Sequence, residues 1–313
     1  MKIAILDDYQ NAALGFADWD ALGADIEVFT AHIADPDELA ERLAGFDVVV
    51  AMRERTRFPA ETLARLTDLR LLVSTGRRNA AIDVEAARRQ GVLVCGTGYV
   101  PSPTAEHTWA LILAAARNLG TELPAMRDGG WQTTIGTGLS GRTLGLLGLG
   151  NLGSRVARVG QAFGMNTIAW SQNLTEERAA EHGVTLVSKE DLFATADVVS
   201  IHLVLSRRTR GLVGAGELAA MKPDAWLVNT SRGPIVDESA LLEALRRKEI
   251  GGAALDVYDV EPLPVDHPLR GLSNVVLTPH LGYVTKETYE IFFRDAVEDI
   301  AAYRAGNPVR VMT

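Results

Sequence analysis

An apolar strand that turns through closely spaced glycines into a helix constrains this chain more than any other stretch. Thr143–Leu147 has the pattern of the strand, and Gly148, Gly150 and Gly153 follow it at the spacing GxGxxG. The first glycine allows a tight turn, the second lets a pyrophosphate approach the backbone, and the third lets the helix pack closely on the strand. Free N–H groups in the first helical turn attract phosphate charge. The stretch therefore predicts a dinucleotide site.

A GxGxxG pattern alone is weak, because a structural glycine turn can also produce it. Gly136, Gly138 and Gly141 match the same pattern, but they lie in a polar loop and precede a strand. Only the glycines at 148–153 have a strand before them and a helix after them. Helical spacing of apolar residues predicts one buried face on that helix, formed by Leu152, Val156, Val159 and Phe163.

Length, composition and charge restrict the class of protein. At 313 residues the chain has room for about two domains, and 47% hydrophobic with 23% charged residues is typical of a soluble globular protein. It shows no apolar run long enough to span a membrane and no signal-peptide pattern, so we expect a cytoplasmic protein without a membrane partner. The net charge of −9 argues against nucleic-acid binding, which depends on neutralising phosphates.

The cysteine and histidine content argues against a metal site. Cys95 is the only cysteine, which excludes an intramolecular disulfide and a cysteine-based metal cluster. It ends an apolar strand, so we expect a buried, unreactive thiol. A zinc site needs three or four clustered ligands, and no such spacing occurs.

Strand and helix patterns alternate in two series along the chain. Five short apolar strands with helical segments between them occupy residues 2–95, and six more strands occupy residues 143–278. Such alternation predicts parallel sheets covered by helices on both faces. Pro101 and Pro103 interrupt the pattern between the two series and indicate a domain crossing. We therefore predict an α/β fold of two doubly wound parallel-sheet domains.

The domain boundaries follow from the same patterns. Residues 1–100 together with 286–313 are assigned to a substrate domain, and residues 101–285 to a dinucleotide-binding domain. A helical tail after Thr285 has apolar residues along one face, which predicts that it returns to pack on the first domain. The glycine-containing loop at 128–142 is long enough to suggest a role such as wrapping around a partner subunit.

Three segments at the ends of late strands carry the chemistry. In an open α/β sheet, ligands bind just beyond the carboxyl ends of the strands. Arg232 follows one strand, where a guanidinium can bind a carboxylate in a bidentate manner; the alternative is a surface arginine in a loop. Asp256 and Glu261 follow the next strand, and His280 follows the last. A lone histidine is often structural, but a neighbouring carboxylate such as Glu261 would orient it for proton transfer.

Together these segments resemble the D-isomer-specific 2-hydroxyacid dehydrogenases. The resemblance rests on the glycine turn, on Asn229-Thr-Ser-Arg-Gly-Pro-Ile-Val-Asp237, on Leu255-Asp-Val through Glu261-Pro262, and on Thr278-Pro-His-Leu-Gly282. Pro103-Thr-Ala-Glu-His-Thr-Trp109 extends it, so that it covers nearly the whole chain. Four motifs in order are far more specific than any one of them.

The resemblance implies a flavodoxin-like substrate domain and a Rossmann cofactor domain with the active site in the cleft between them. It implies that Arg232 binds the substrate carboxylate and carbonyl, that His280 is the acid/base, and that Glu261 pairs with it. It implies a homodimer, with the helix at 104–117 near the dimer contact. Cofactor contacts are implied for Gly148, Gly150, Asn151, Leu152, Gly153, Ser171, Leu203, Thr230, Ser231, Asp256 and Gly282.

The implied reaction is hydride transfer between a nicotinamide cofactor and a small 2-hydroxy or 2-keto acid, such as glyoxylate or hydroxypyruvate. Two alternatives stay open on the sequence alone. The chain could be an NAD(H)-sensing binding protein of the same fold with little turnover, although a pure sensor has no need of an acid/base pair. It could also be a formate- or phosphite-type dehydrogenase, but its arginine-rich first domain favours carboxylates.

Two departures from the family pattern affect specificity. Ser171 stands where the family often has an aspartate that binds the adenosine ribose, so NAD and NADP both stay open and tolerance of NADP is favoured. Arg207 and Arg208 could reach a 2′-phosphate, or they could simply be solvated.

The second departure lies in the first domain, at a turn that is usually small and glycine-rich in the family. Gly76 matches the pattern, but Arg77 and Arg78 stand where small residues are common. Both could point to solvent. Alternatively, one of them enters the cleft, together with Arg53, and favours a substrate with a second anionic group. These four residues are our candidates for substrate binding.

Overall fold

The computed structural model describes residues 1–313, which divide into two compact units. The first unit comprises Met1–Val100 and Val284–Thr313, and the second comprises Pro101–Tyr283. Each unit is built around one parallel sheet, so the predicted α/β fold with two doubly wound sheets is confirmed. None of the helices combines the length and the apolar character needed to cross a membrane.

The first unit contains a five-stranded parallel sheet in the order β2-β1-β3-β4-β5. The two strands β3 and β4 are buried throughout, because helices cover both faces of the sheet. The elements are β1 (Lys2–Ile5), β2 (Asp25–Val28), α1 (Pro36–Arg42), β3 (Val48–Ala51), α2 (Ala60–Arg65), β4 (Leu71–Ser74), α3 (Val84–Arg89) and β5 (Leu93–Gly96). The carboxylate of Asp83 caps α3 by accepting a hydrogen bond from the Ala86 N–H, as its sequence predicts.

The second unit contains a seven-stranded parallel sheet in the order β12-β11-β10-β9-β6-β7-β8, with the glycine-turn strand β6 in the middle. Its helices are α4 (Ser102–Ala116), α5 (Leu119–Arg127), α6 (Asn151–Ala162), α7 (Glu176–Ala180), α8 (Lys189–Thr195), α9 (Ala215–Ala220) and α10 (Glu238–Arg247). Its strands are β6 (Thr143–Leu147), β7 (Asn166–Trp170), β8 (Thr185–Leu186), β9 (Val198–Ile201), β10 (Trp226–Asn229), β11 (Gly252–Leu255) and β12 (Val275–Leu277). Six of them were predicted; β8 has two residues, too few to show a strand pattern.

The buried face of α6 differs from the predicted one. The helix buries Gly153, Val156, Ala157 and Gly160, whereas Val159 and Phe163 are exposed. The prediction was wrong for these two because small residues, rather than the apolar stripe, face the sheet. A Cβ added at Gly160 would lie 2.8 Å from the Leu144 side chain, which shows how closely this face packs.

The chain returns to the first unit through helix α11 (Lys286–Arg304). Phe292 and Phe293 on this helix are fully buried, and the Phe293 ring packs near Phe16 and Trp19. The tail helix therefore supplies part of the core of the first unit.

The segment after α11 runs antiparallel to the edge strand β5. The Gly96 N–H donates to the Arg310 carbonyl at 3.0 Å, and the Met312 N–H donates to the Val94 carbonyl at 2.8 Å. Cys95 is fully buried between these contacts, and burial raises the pKa of its thiol to about 12. The expectation of a buried thiol is confirmed, and the raised pKa is consistent with an unreactive one.

Candidate active site

The glycine turn after β6 fits a dinucleotide pyrophosphate. Gly148 has φ 107°, and a Cβ there would lie 2.7 Å from the His202 carbonyl oxygen. A Cβ at Gly153 would lie 2.1 Å from the Gly148 oxygen, so neither position tolerates a side chain. Gly150, by contrast, caps α6 and has open space where its Cβ would be. That space, beside the N–H groups of the first turn of α6, is where phosphate oxygens can approach the backbone.

The other residues assigned to the cofactor lie at the same carboxyl edge of the seven-stranded sheet. Asn151 and Leu152 begin α6, and Ser171 directly follows β7. The Leu203 side chain lies 2.9 Å from the Cβ position of Gly148, and its carbonyl accepts a hydrogen bond from the Ser231 hydroxyl at 2.5 Å. The structure thus brings the glycine turn, the end of β9 and the end of β10 together.

Another histidine, His202, lies beside the glycine turn. The Nε2 of His202 lies 2.9 Å from the Ser200 hydroxyl, and its Cβ lies 3.5 Å from the Cβ position of Gly153. Burial lowers the pKa of His202 to about 4. The ring is therefore neutral at physiological pH.

His280 and Glu261, the predicted acid/base pair, are hydrogen-bonded to each other. The His280 Nδ1 lies 2.5 Å from the Glu261 Oε2, and the two side chains are 14% and 19% exposed. The other Glu261 oxygen accepts a hydrogen bond from the Tyr258 N–H at 3.0 Å, which fixes the carboxylate. A carboxylate on Nδ1 fixes the tautomer of the imidazole and directs proton exchange to Nε2.

Arg232 lies in a loop that packs on the segment holding Glu261. The Asn229 side chain donates to the Arg232 carbonyl at 3.0 Å and accepts from the Ser231 N–H at 3.0 Å, which shapes the turn after β10. Gly233 follows, and a Cβ there would lie 2.1 Å from the Tyr258 carbonyl carbon, so only glycine fits. The close contact sets the positions of the arginine loop and the glutamate segment relative to each other.

A fully buried aspartate, Asp256, holds the turn that carries His280. Its Oδ1 accepts hydrogen bonds from the Thr278 hydroxyl at 2.6 Å and from the Leu281 N–H at 2.7 Å, and its Oδ2 accepts from the Gly282 N–H at 2.9 Å. Because these partners flank His280, which has φ 56°, the aspartate stabilises an unfavourable backbone conformation at the histidine.

The charge on Asp256 is stabilised by its neighbours. Burial raises the pKa of this carboxyl, but the hydrogen bond and charge of His107, the Thr278 hydroxyl and the charge of His280 outweigh burial, and the net shift is downward. The group is therefore a carboxylate at neutral pH. The sequence assigned Asp256 to the cofactor; the geometry adds that it anchors the histidine turn.

Three side chains of α4 reach this edge, and sequence reasoning gave them no role in binding. The Nε2 of His107 lies 3.1 Å from the Asp256 Oδ1, the Thr104 hydroxyl donates to the Gly282 carbonyl at 2.8 Å, and the Thr108 and Thr230 hydroxyls lie 2.7 Å apart. All three residues belong to the motif Pro103–Trp109, which the sequence analysis singled out. The groups that they contact lie more than a hundred residues away in the sequence, so these contacts could not be inferred.

The four substrate-binding candidates lie in the first unit, after β3 and β4. Arg53 has φ 51°, and its Nη1 lies 3.3 Å from the Thr75 carbonyl oxygen. The same guanidinium occupies the space beside Gly76, where a Cβ would lie 1.9 Å from Nη1. Gly76 therefore has to be a glycine while Arg53 holds this position. Arg77 and Arg78 are exposed.

Comparison with known proteins identifies relatives of both units. The family model for the D-isomer specific 2-hydroxyacid dehydrogenase, NAD binding domain, matches residues 109–282. The chain is 41% identical over 293 residues to a glyoxylate reductase of Aeropyrum pernix, a match that covers 90% of this chain and 87% of that protein.

A second relative and a solved structure match over nearly the whole chain. A D-3-phosphoglycerate dehydrogenase of Archaeoglobus fulgidus is 35% identical over 313 residues, which is 99% of this chain. The match covers 58% of that protein, so the chain spans little more than half its length. The crystal structure of a phosphoglycerate oxidoreductase from Vibrio cholerae is 42% identical, with a TM-score of 0.94 and coverage of 98% of this chain and 99% of that one.

Proposed function

Since the chain belongs to the D-isomer-specific 2-hydroxyacid dehydrogenase family and is a nicotinamide-dependent oxidoreductase, we propose that it interconverts small 2-keto and 2-hydroxy acids with His280, Glu261 and Arg232 as its catalytic residues. The observation that carries the proposal is the 2.5 Å contact between His280 and Glu261 at the carboxyl edge of the seven-stranded sheet. The loop of Arg232 packs against the same glutamate segment. An acid/base pair beside a cation is the set of groups that keto-acid reduction requires.

The mechanism follows from these positions. In the reducing direction, His280 in its imidazolium form donates a proton from Nε2 to the keto oxygen, while Glu261 stabilises the imidazolium through Nδ1. The glycine turn after β6 would hold the nicotinamide cofactor, which would supply the hydride. Arg232 binds the carboxylate and stabilises the charge that develops on the oxygen. In the oxidising direction, neutral His280 takes the hydroxyl proton back.

The proposed substrates are glyoxylate, hydroxypyruvate and similar small 2-keto acids. Two relatives, named as a glyoxylate reductase and a D-3-phosphoglycerate dehydrogenase, support this class. We further propose that Arg53, Arg77 or Arg78 favours a substrate with a second anionic group. Replacing Arg77 and Arg78 by alanine then lowers the kcat/KM ratio of dicarboxylate to monocarboxylate substrates. An unchanged ratio would remove these two arginines from the proposal.

The proposed cofactor preference is tolerance of NADP alongside NAD. Ser171 follows β7 without a carboxylate that would repel a 2′-phosphate. Comparing kcat/KM for NADH and NADPH at a fixed glyoxylate concentration tests this. A strong preference for NADH would contradict it.

The proposed assembly is a homodimer formed through the second unit. Helix α5 has no buried residue, and Leu119, Leu123 and Met126 form an exposed apolar stripe along it. In the following loop, Trp131 is 74% and Ile135 is 95% exposed. Large apolar surface of this kind is typical of an interface. Light scattering of the wild type and of a Trp131→Glu, Ile135→Glu double variant tests it: a dimer that dissociates supports the proposal, and a monomeric wild type contradicts it.

A panel of 2-keto acids, each assayed with NADH and NADPH, tests the whole proposal. Turnover of glyoxylate or hydroxypyruvate supports it. Tight NADH binding by fluorescence without turnover of any acid in the panel would instead favour an NAD(H)-sensing protein, and turnover of formate or phosphite alone would favour those dehydrogenases. The panel therefore separates all three functions.

A further inference from the structure

Helix α4 carries a histidine that neither the proposed catalytic residues nor the assigned cofactor contacts include. His107 lies three residues after Thr104, so the two side chains lie on the same face of the helix. The Thr104 hydroxyl donates to the Gly282 carbonyl at 2.8 Å, and the Nε2 of His107 lies 3.1 Å from the Asp256 carboxylate. This face of α4 therefore contacts both the turn that follows His280 and the aspartate that holds the turn.

The ring nitrogen Nε2 of His107 faces two oxygen atoms. It lies 3.1 Å from the Asp256 Oδ1 and 3.0 Å from the Thr278 Oγ1. The hydroxyl hydrogen of Thr278 is already used, because this hydroxyl donates to the same Oδ1 at 2.6 Å. Both oxygens can therefore only accept a hydrogen bond from the ring. The arrangement requires a hydrogen on Nε2.

The electrostatics of Asp256 support the same assignment. The side chain is fully buried, and burial raises the pKa of a carboxyl group. The hydrogen bond and the charge of His107 oppose burial most strongly, ahead of Thr278 and His280, and the pKa of Asp256 is lowered overall. A buried carboxylate that lost this donor would keep a charge with less compensation. His107 therefore stabilises the charged form of the aspartate.

The charged aspartate in turn holds the chain on both sides of His280. Thr278 precedes this histidine by two residues and Leu281 follows it, and both donate to the Asp256 oxygen that His107 contacts. Three donors thus converge on one carboxylate oxygen. Two of them belong to the segment that carries His280, and His107 alone comes from another element of the fold.

We propose that His107 is a positioning residue for proton transfer at His280: a hydrogen on its Nε2 anchors the Asp256 carboxylate, and that carboxylate fixes the turn that carries the His280 imidazole. The ring of His107 acts through Asp256 and donates no proton to the substrate. The inference rests on the proposed function for the role of His280, whereas the hydrogen-bond arrangement can be tested without turnover.

Three variants of the full chain test the positioning role by kinetics. His107→Leu removes the donor, His107→Gln keeps an amide N–H that can donate to the carboxylate, and Glu106→Gln is the matched control, an exposed neighbour on the same helix. Loss of a hydrogen bond to a charged group predicts that His107→Leu lowers kcat for 2-keto acid reduction roughly tenfold. The KM for NADH should stay close to the wild-type value, because the glycine turn is untouched.

Rescue by the conservative variant separates positioning from packing. His107→Gln should recover most of the kcat that His107→Leu loses, because the amide replaces the donor, and Glu106→Gln should match the wild type. Wild-type kcat in His107→Leu would overturn the inference and leave the proposed function intact. A glutamine variant as slow as the leucine variant would also overturn it, because the ring and not its hydrogen would then matter.

Two further measurements need no turnover. Long-range proton–nitrogen correlation spectra of protein labelled at histidine show which ring nitrogen carries the hydrogen, and the signals missing from His107→Gln identify His107. Amide hydrogen exchange at Leu281 and Gly282 shows how firmly the turn is held. A hydrogen on Nε2, with faster exchange at these amides in His107→Leu, would support the inference even if the wild type reduces no 2-keto acid.

The opposite results would overturn the inference whatever the fate of the proposed function. One is unchanged exchange at the two amides in His107→Leu. The other is a wild-type ring of His107 without a hydrogen on Nε2, and this result decides the outcome if the leucine variant does not fold.

Discussion

Two buried aspartates, one in each unit, occupy similar surroundings. Asp256 accepts a hydrogen bond from a threonine hydroxyl at 2.6 Å and lies 3.1 Å from the Nε2 of His107. Asp7 accepts from a threonine hydroxyl at 2.6 Å and lies 2.9 Å from the Nδ1 of His32. Asp256 directly follows β11 and Asp7 lies two residues after β1, so both are at the carboxyl ends of parallel strands, where polar groups are expected to serve a ligand.

The two clusters differ in their remaining donors. The carboxylate of Asp256 also accepts hydrogen bonds from the backbone N–H groups of Leu281 and Gly282, so it fixes the main chain that follows His280. Asp7 binds the Tyr9 side chain instead, and its cluster ends at the surface. The same arrangement of carboxylate, hydroxyl and imidazole therefore fixes the main chain around His280 in one unit and lies beside partly exposed side chains in the other.

The largest effect should come from the histidine whose turn Asp256 fixes. If His280 is the general acid we propose, His280→Ala should lower kcat for glyoxylate roughly a thousandfold, while NADH binding measured by fluorescence changes little. His267→Ala is the matched control, since His267 pairs with Glu238 at 3.1 Å in the same unit but outside the site. Near-normal turnover by His280→Ala would show that the turn held by Asp256 does not carry the general acid.

A smaller effect should separate the two aspartates themselves. Asp256→Asn should lower kcat by roughly ten- to a hundredfold, because two N–H donors lose a charged acceptor. Asp7→Asn should instead leave kcat close to that of the wild type, since asparagine tolerates the positive φ and the hydrogen bonds of Asp7 go to Thr56, His32 and Tyr9 rather than to the turn of His280. Equal losses of kcat in the two variants would show that both clusters act only on the fold.

Asp256→Asn should also lower the free energy of unfolding at pH 7, measured with urea. The native pKa of Asp256 lies below its ordinary value, so its contribution is present above that ordinary value and is lost as the pH falls through the lower native one. An Asp256→Asn protein as stable as the wild type at pH 7 would mean that burial cancels the hydrogen bonds.

The smallest effect concerns a third buried aspartate, which lacks a complete set of donors. The Oδ1 of Asp299 accepts from Arg310 at 2.9 Å, but Oδ2 has no hydrogen-bond partner. Burial raises the pKa of Asp299 to about 7, against the opposing charge of Arg310. Stability from this group is thus present below the ordinary aspartate pKa and is lost as the pH rises through about 7.

Asp299→Asn should therefore reduce the pH dependence of thermal unfolding. Between pH 5 and pH 8 the wild type should lose more of its melting temperature than the variant, by about 3 °C or more. Scans at the two values with and without the substitution measure this. Parallel losses would show that Asp299 is ionised in the native protein at both pH values.

The sequence predicts most of this fold because the decisive signals are local. Glycines at 148–153 require a strand before them and a helix after them, and Asp83 and Gly91 bound α3 at both ends. Where the signal is not local, prediction failed. Helix α5 contains Pro124 and buries nothing, so no pattern marked it. On α6, packing of small residues against the sheet overrode the apolar stripe.

The same distinction applies to the candidate site. His280 and Glu261 lie 19 residues apart and each belongs to a recognisable motif, so the sequence predicts the pairing that the 2.5 Å contact shows. Asp7 lies 25 residues from His32 and 49 from Thr56, and no motif joins them. Only the strand order brings such residues together, so a cluster of this kind becomes visible only in three dimensions.

The first unit is built from two segments that are far apart in the sequence, and this affects how it folds during translation. Residues 284–313 supply two buried phenylalanines and cover the edge of β5, yet the ribosome makes them after the whole second unit. During translation, β5 and the apolar surface beneath α11 stay uncovered while residues 101–283 emerge and fold. The nascent first unit is therefore the stage of highest risk for aggregation, and a truncated messenger should yield a product that folds only in part.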